Sequence, residues 1–196
     1  MKRAVFMDRD GTISEEVGYV NHPSRFQLFS YSPKAIKLLN DRGWLAVVVT
    51  NQAGVARGYF SEELILKVHE RMQKELQEQG AYLDAVFYCA HHPTVGEPPY
   101  RFDCDCRKPK PGLLLAAPHY DLGRSVMVGD RWRDVDAGRA AGCRATILID
   151  YGYDEAIPNE PTVRVASLLE ASEWILDRLG RPEGRPLPKN SVGNGL

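Results

Sequence analysis

The chain has 196 residues, of which 43% are hydrophobic and 26% charged, as expected for one globular domain with its own hydrophobic core. Its formal net charge of -1 argues against general affinity for nucleic acid or anionic membranes, because no excess of basic residues exists to neutralise phosphates. The N-terminus has no apolar signal-peptide core, and no stretch approaches the roughly 20 apolar residues of a membrane span, so we expect a cytoplasmic protein. We also expect a monomer.

Short apolar runs alternate along the chain with segments in which apolar residues have helical spacing. Strands are predicted at 3–7, 44–50, 84–89, 125–129 and 145–149. Helices are predicted at 32–43, 61–80, from about 111, at 133–141 and at 166–180, and Pro118 should kink or shorten the third of them. This alternation predicts an α/β fold with a doubly wound, mainly parallel, Rossmann-like sheet covered by helices on both faces.

The domain is predicted to extend over residues 1–180. Residues 181–196 are rich in Pro, Gly and Asn and should form a flexible tail. Positions 11–49 must hold a helix and a strand, which leaves residues 12–31 as a flap. A segment of this length is too short for a separate cap domain, so substrate should be enclosed by the flap and by the cysteine-rich loop of residues 89–106.

Polar side chains follow four of the predicted strands. Asp8 and Asp10 follow the first, Thr50 ends the second, Lys108 comes after the third and the cysteine-rich loop, and Asp130 follows the fourth. Ligands of parallel sheets bind beyond the carboxyl ends of the strands, so these side chains should converge. Acids at the end of a buried strand need a metal or a partner to offset desolvation. Such a set can hold Mg²⁺, neutralise a phosphoryl group and attack it.

Four segments in this order, "DRDGT", "VVTNQ", "RKPKPG" and "VGDRWRDVDAG", resemble the motifs of phosphatases of the haloacid dehalogenase (HAD) superfamily. The resemblance covers residues 4 to about 150. The segment "CAHH…CDC" between the third strand and the lysine narrows it to the branch that contains heptose bisphosphate phosphatases and histidinol-phosphate phosphatases. The resemblance therefore implies a HAD-type fold and the hydrolysis of a phosphate monoester.

The resemblance also implies roles for particular residues. Asp8 would attack phosphorus and form an aspartyl-phosphate, and Asp10 would act as general acid and then general base. Mg²⁺ would be held by the Asp8 carboxylate, the main-chain carbonyl of Asp10 and Asp130, while Asp134 would orient neighbouring groups. Thr50 and the amide of Asn51 would hold phosphoryl oxygens, and Lys108 would steady the nucleophile. The remaining residues expected to bind substrate are Glu16, Val17, Gly18, Tyr19, Gln52, Ala53, Arg107 and Arg131.

Three of the four cysteines lie within residues 89–106. Cys89, Cys104 and Cys106 with one histidine would give the four ligands of a closed, structural zinc site. Spacing alone leaves His91 and His92 nearly even, and the resemblance favours His91. Because the loop ends just before Lys108, zinc would position that lysine indirectly. The fourth cysteine, in "AAGCRATILI", is expected to be a small buried thiol.

The substrate is where the sequence is least informative. Arg107 and Arg131 adjoin the motif residues and could receive a second phosphate, which favours a sugar bisphosphate over the cationic histidinol phosphate. The resemblance then favours the C7 phosphate of a heptose 1,7-bisphosphate, with histidinol phosphate as the alternative. Two non-enzymatic interpretations also remain at this point, a phospho-accepting receiver domain and a zinc-stabilised binding module.

Overall fold

A six-stranded parallel sheet forms the centre of the protein in a computed structural model that describes residues 2–116 and 119–180. The strands are β1 (Ala4–Met7), β2 (Leu45–Asn51), β3 (Ala85–Cys89), β4 (Val126–Gly129), β5 (Ala145–Ile149) and β6 (Val163–Val165). Their order across the sheet is β3-β2-β1-β4-β5-β6, and every neighbouring pair is parallel. The strand order thus reverses at β1, where α/β sheets of this kind bind their ligands.

Within the described residues, five helices connect or follow the strands: α1 (Ser32–Asp41), α2 (Glu62–Gln77), α3 (Gly112–Leu115), α4 (Trp132–Ala140) and α5 (Leu168–Leu179). Helix α2 begins where the sequence predicts, because Ser61 Oγ accepts a hydrogen bond from the amide of Leu64 and two glutamates occupy the first turn. Ser167 caps α5 in the same way, through the amide of Glu170. None of the described helices is long and apolar enough to cross a membrane.

The two faces of the sheet bury different side chains of the same strand. In β1, Val5 and Met7 join a core cluster with apolar residues of α1, α2 and α5. Ala4 and Phe6 point to the other face and pack with residues of α3 and α4. Because successive side chains of a strand alternate between faces, this pattern requires a strand that is apolar throughout. Its polar successors therefore emerge at the edge of the sheet.

Two elements differ from the sequence prediction. Strand β6 was not predicted, because it has only three residues, lies at the edge of the sheet and has no continuous apolar run. The helix predicted from about residue 111 is a single turn, α3, packed on the sheet through Leu113 and Leu114. The effect predicted for Pro118 and the tail at 181–196 lie outside the described residues.

The flap between β1 and α1 contains no inserted domain. Its regular structure consists of the 3-10 turn Pro23–Arg25 and isolated bridges that join Ser14 to Asp10 and to Leu28. The flap therefore packs as a loop across the carboxyl end of the sheet, in agreement with the fold predicted without a cap domain.

Candidate active site

The carboxyl ends of β1, β2 and β4 bring the predicted polar residues together. Asp8 follows β1, Asn51 ends β2 and Asp130 follows β4, while Lys108 reaches the same place from the loop after β3. These four residues line one small cavity, together with Asp10, Glu16, Arg131, Arg133 and Asp134. The structure thus places the strand-end residues of all four motifs at one edge of the sheet.

Lys108 is buried between two carboxylates. Its Nζ lies 3.1 Å from Oδ1 of Asp8 and 2.6 Å from Oδ1 of Asp134, and its side chain is 1% exposed. Burial alone would lower the pKa of Lys108, but Asp134 and then Asp8 more than offset this, so the pKa lies above its usual value. Lys108 is therefore a fixed positive charge beside Asp8.

Asp8 and Asp130 lack enough nearby positive charge to offset the cost of burying their carboxylates. Burial raises the pKa of Asp8 to about 6 despite Lys108, and it raises the pKa of Asp130, with help from Asp134 and Asp8, to about 8. In the described part of the chain, neither carboxylate oxygen of Asp130 accepts a hydrogen bond, although Nε of Arg131 lies 3.3 Å from Oδ2. Buried carboxylates with unused oxygens are suited to a divalent cation.

Asp8, Asp130 and Asp134 each offer an oxygen within 4.8 Å of the others, as a shared cation requires. Asp134 is already engaged, because its Oδ1 pairs with Lys108 and its Oδ2 accepts the amide of Arg131. Its position agrees with the orienting role implied by the resemblance. Asp8 and Asp130 are thus the side chains best placed to bind a metal ion.

Gly11 permits the close approach of the two motif loops. A Cβ atom at this position would lie 2.3 Å from Oδ2 of Asp130, and its φ of +77° is one that other residues rarely adopt. The glycine of "DRDGT" is therefore required both by the turn and by the space that Asp130 occupies.

Asp10 is held by hydrogen bonds on one side and faces a cavity on the other. Its carboxylate accepts from Arg9 Nε, Arg9 Nη2 and Gln52 Nε2, and the same Gln52 nitrogen lies 3.0 Å from Thr50 Oγ1. The side chain of Asp10 is 16% exposed. Arg9 was missed by sequence reasoning, because a charged residue between two aspartates reads as exposed and nothing local indicates its burial.

A cavity of about 490 Å³ opens beside Asp10. Four arginines line it: Arg57, Arg107, Arg131 and Arg133. The other lining residues are Asp10, Glu16, Gly18, Tyr19, Asn51, Gln52, Ala53 and Gly54. Arg57 and Arg133 were also missed from the sequence, although Arg133 falls within the fourth motif. The electrostatic character of this cavity is positive, which suits an anionic ligand.

The two predicted arginines line this cavity and also have protein partners. Arg107 donates from Nη1 to the carbonyl of His91 at 3.3 Å. The guanidinium of Arg131 stacks 3.6 Å from the ring centre of Tyr153 and lies 3.6 Å from Glu155. Both side chains are therefore oriented by neighbours before any ligand arrives.

Two further residues expected to bind substrate are placed differently from the cavity-lining ones. The side chain of Val17 packs against the core cluster of α1, α2 and α5. Thr50 is 1% exposed, and its hydroxyl oxygen contacts Gln52.

Asn51 lines the cavity, while its side chain forms two hydrogen bonds of 3.0 Å with the backbone of Lys108, as donor to the carbonyl and acceptor from the amide. This pair of bonds joins β2 to the end of the cysteine-rich loop.

The cysteine-rich loop brings four potential ligands together. The three sulfur atoms lie 3.2–3.5 Å apart, and Nδ1 of His91 lies 3.4 Å from Cys106 Sγ and 3.7 Å from Cys89 Sγ. A tetrahedral site with Zn–S bonds of about 2.3 Å places its sulfurs roughly 3.8 Å apart. These separations are far longer than a disulfide, and all four cysteines are free. The cluster is compatible with a zinc-binding site.

The structure distinguishes the two adjacent histidines. His92 points away from the sulfur atoms, and its Nδ1 accepts the backbone amides of Thr94 and Val95. His91 is the histidine of the cluster, as the resemblance implied. The remaining cysteine, Cys143, was expected to be buried but is only partly so, and it packs against the core cluster of α3 and α4. Burial raises its pKa to about 12, which fits an inert packing role.

Comparison with known proteins shows which class of protein this chain belongs to. A family model described as HAD-hydrolase-like matches residues 105–171. A relative from Pasteurella multocida (strain Pm70), named D-glycero-beta-D-manno-heptose-1,7-bisphosphate 7-phosphatase, is 46% identical over 155 residues, 78% of this chain and 84% of its own. A relative of the same name from Vibrio cholerae serotype O1 is 43% identical over 180 residues, 89% and 97% of the two chains.

A solved structure agrees with these relatives. The D,D-heptose 1.7-bisphosphate phosphatase from B. bronchiseptica, crystallised with magnesium and phosphate, is 32% identical with a TM-score of 0.77, and the match covers 90% of this chain and 99% of that one. The chain is a HAD-like phosphoric monoester hydrolase. Within this class, the chain belongs to the family of D-glycero-beta-D-manno-heptose-1,7-bisphosphate 7-phosphatases. The two non-enzymatic interpretations are therefore wrong.

Proposed function

We propose that this protein hydrolyses the C7 phosphate of D-glycero-β-D-manno-heptose 1,7-bisphosphate with Mg²⁺ as cofactor, and that zinc stabilises its cysteine-rich loop. The observation that carries the proposal is the position of the Asp8–Lys108 pair next to a cavity lined by four arginines. The Asp8–Lys108 pair suits transfer of one phosphate, and the four arginines suit binding of a second phosphate. The β anomer follows the names of the relatives.

Asp8 and Asp130 would hold Mg²⁺ through their carboxylates, with the main-chain carbonyl of Asp10 as a third ligand. The buried oxygens of Asp130, which accept no hydrogen bond from the described residues, and the raised pKa values of Asp8 and Asp130 support this assignment. When bound, Mg²⁺ neutralises phosphoryl oxygens and favours the ionised form of both acids. The relative crystallised with magnesium and phosphate supports the choice of metal.

The chemistry of this chain then divides between Asp8 and Asp10. An Asp8 oxygen attacks phosphorus, and Asp10 gives a proton to the leaving oxygen of C7. A water molecule then attacks the aspartyl-phosphate, while Asp10 takes a proton from it. Lys108 holds the nucleophile at 3.1 Å and adds positive charge where the phosphoryl group moves. Asp134, at 2.6 Å from Nζ, keeps Lys108 in place.

The arginines favour a bisphosphate over histidinol phosphate. Guanidinium groups bind phosphate through paired donors, and Arg107 and Arg131 are preoriented by protein contacts. Arg57 and Arg133 add two further charges to the same cavity. A substrate with a cationic amine would be repelled there, so the arrangement selects a second anionic group.

Kinetics on a set of substrates test this proposal. We expect kcat/KM to be highest for the β anomer of the heptose 1,7-bisphosphate, followed by the α anomer, fructose 1,6-bisphosphate and histidinol phosphate. Arg133→Ala should raise KM for the bisphosphates more than for a monophosphate, and Arg144→Ala, an arginine outside the cavity, serves as the control. A tenfold preference for histidinol phosphate, about 1.4 kcal/mol of transition-state stabilisation, would overturn the assignment.

A further inference from the structure

Asp10 is held by the arginine that precedes it in the sequence. Arg9 donates from Nε to Oδ1 at 3.0 Å and from Nη2 to Oδ2 at 2.8 Å, a paired contact with one carboxylate. Gln52 Nε2 donates to the same Oδ2 at 2.8 Å. The side chain of Arg9 is only 2% exposed, so this contact lies inside the protein and has a fixed geometry that surface ion pairs lack.

The other end of Arg9 contacts a buried histidine of α2. Its Nη1 lies 3.3 Å from Nε2 of His69, which is 5% exposed. A guanidinium has donors only, so Nε2 of His69 accepts and the ring proton is on Nδ1. Burial, and then the charge of Arg9, lower the pKa of His69 to about 3, in agreement with a neutral ring. Arg9 is therefore fixed at both ends.

These contacts distinguish the two oxygens of Asp10. A carboxylate offers about four lone-pair sites, two on each oxygen. Oδ2 accepts two hydrogen bonds and has no site left. Oδ1 accepts one from Arg9, and the hydroxyl of Ser14 lies 3.5 Å from it but closer to the carbonyl of Arg9, at 3.2 Å. Oδ1 is thus the oxygen with capacity for a proton.

We propose that Arg9 is a positioning residue, which fixes the rotation of the Asp10 carboxylate so that Oδ1 carries the proton of the reaction. This inference rests on the proposed function. In the first step, Asp8 bonds to phosphorus, the bond from phosphorus to the leaving oxygen breaks, and the proton moves from Oδ1 to that oxygen. In the second step, water bonds to phosphorus, its proton returns to Oδ1, and the bond to Asp8 breaks.

The dependence of rate on the leaving group tests this role. The parameter kcat/KM reports formation of the aspartyl-phosphate, which needs a proton donor for an alcohol but not for nitrophenolate, a stable anion. Proton transfer of this kind contributes roughly 10²–10⁴-fold. We expect Arg9→Met to lower kcat/KM about 100-fold for the alkyl phosphate that wild-type protein hydrolyses with the highest kcat/KM in the substrate set above. The loss for p-nitrophenyl phosphate should be less than tenfold.

A double-mutant cycle separates positioning from general structural damage. If Arg9 acts through Asp10, adding Arg9→Met to Asp10→Asn should change kcat/KM for the alkyl phosphate less than threefold. Arg9→Lys keeps the charge but not the paired donors, so it should show the same selective loss and serves as a second variant if Arg9→Met does not fold. Arg3→Met, at the opposite end of β1, should lower thermal stability without changing the ratio between the two substrates.

The outcomes that contradict the inference are distinct from those that contradict the function. Equal losses on both substrates, or additive losses in the double mutant, would mean that Arg9 only supports the fold. Either result would overturn its positioning role while leaving the phosphatase activity intact. A wild-type protein that hydrolyses none of the phosphate esters would overturn the proposed function itself.

Discussion

The strand-end carboxylates and the cysteine-rich loop both bring together side chains that could hold a metal ion, but the chain positions them in different ways. Asp8 and Asp130 follow paired, buried strands, so the sheet positions them without help. Cys104 and Cys106 lie in a segment without helix or strand, which is held near Cys89 by individual loop contacts such as that from Arg107 to the His91 carbonyl. We therefore infer that loss of the first metal affects chemistry, whereas loss of the second affects structure.

Removing the nucleophile should give the largest loss of activity with the least damage to the fold. We expect Asp8→Asn to lower kcat more than 100-fold, because an amide cannot form the acyl phosphate. The thermal midpoint should fall little, since the substitution removes a buried charge of raised pKa and preserves shape. Steady-state kinetics and calorimetry measure both, with Asp41→Asn on the surface of α1 as control. Activity above a hundredth of wild type would exclude covalent catalysis at Asp8.

Breaking the sulfur cluster should instead affect the stability of the fold more than the chemistry. Cys104→Ser should lower the zinc content from close to one per chain and lower Tm by roughly 10 °C, because structural zinc contributes directly to folding. Elemental analysis and calorimetry would show this, and Cys143→Ser, outside the cluster, should retain zinc. Magnesium should dialyse away from wild-type protein without a comparable change in Tm. Zinc-free protein of normal stability and activity would contradict the inference.

The contact that joins the two regions should give an intermediate effect. Asn51→Ala removes both hydrogen bonds to the backbone of Lys108, so kcat should fall about tenfold and stability by about 1–3 kcal/mol. Asn159→Ala removes an exposed asparagine that contacts Asp136 and is the matched control. Unchanged kcat with reduced stability would show that the loop does not position Lys108 through this contact.

The smallest effect is expected where the loop meets α2. Glu62 accepts hydrogen bonds from the hydroxyls of Tyr88 and Tyr100, at 2.6 Å and 2.8 Å. Tyr100→Phe removes the second of these and should cost about 0.5–1.5 kcal/mol of unfolding free energy with kcat unchanged. Denaturant unfolding measures this difference, and a large loss of activity would mean that loop packing, rather than zinc, sets the position of Lys108.

Much of the fold followed from local patterns, and the missing parts have physical reasons. The five longer strands and four of the helices are apparent from apolar runs, caps and glycines, since their residues are buried on definite faces. Strand β6 depends on pairing with Ile147–Ile149, which no local pattern reveals. At the site, the convergence of Asp8, Asp130 and Lys108 could be predicted, because the ends of the strands can be located in the sequence. The buried roles of Arg9 and His69 depend on a contact across 60 positions and could not be predicted from either residue alone.

The central position of β1 has a consequence for how the chain folds. This strand precedes the rest of the sheet in the chain, yet one of its two neighbours is β4, with Val5 opposite Val126 and the amide of Ala4 bonded to Ser125 Oγ, 121 positions away. Such high contact order slows folding, and until residue 129 is available one edge of β1 has unpaired backbone groups. A nascent or truncated chain ending before β4 should therefore expose an aggregation-prone apolar edge, and the candidate active site should not form until β4 has joined the sheet.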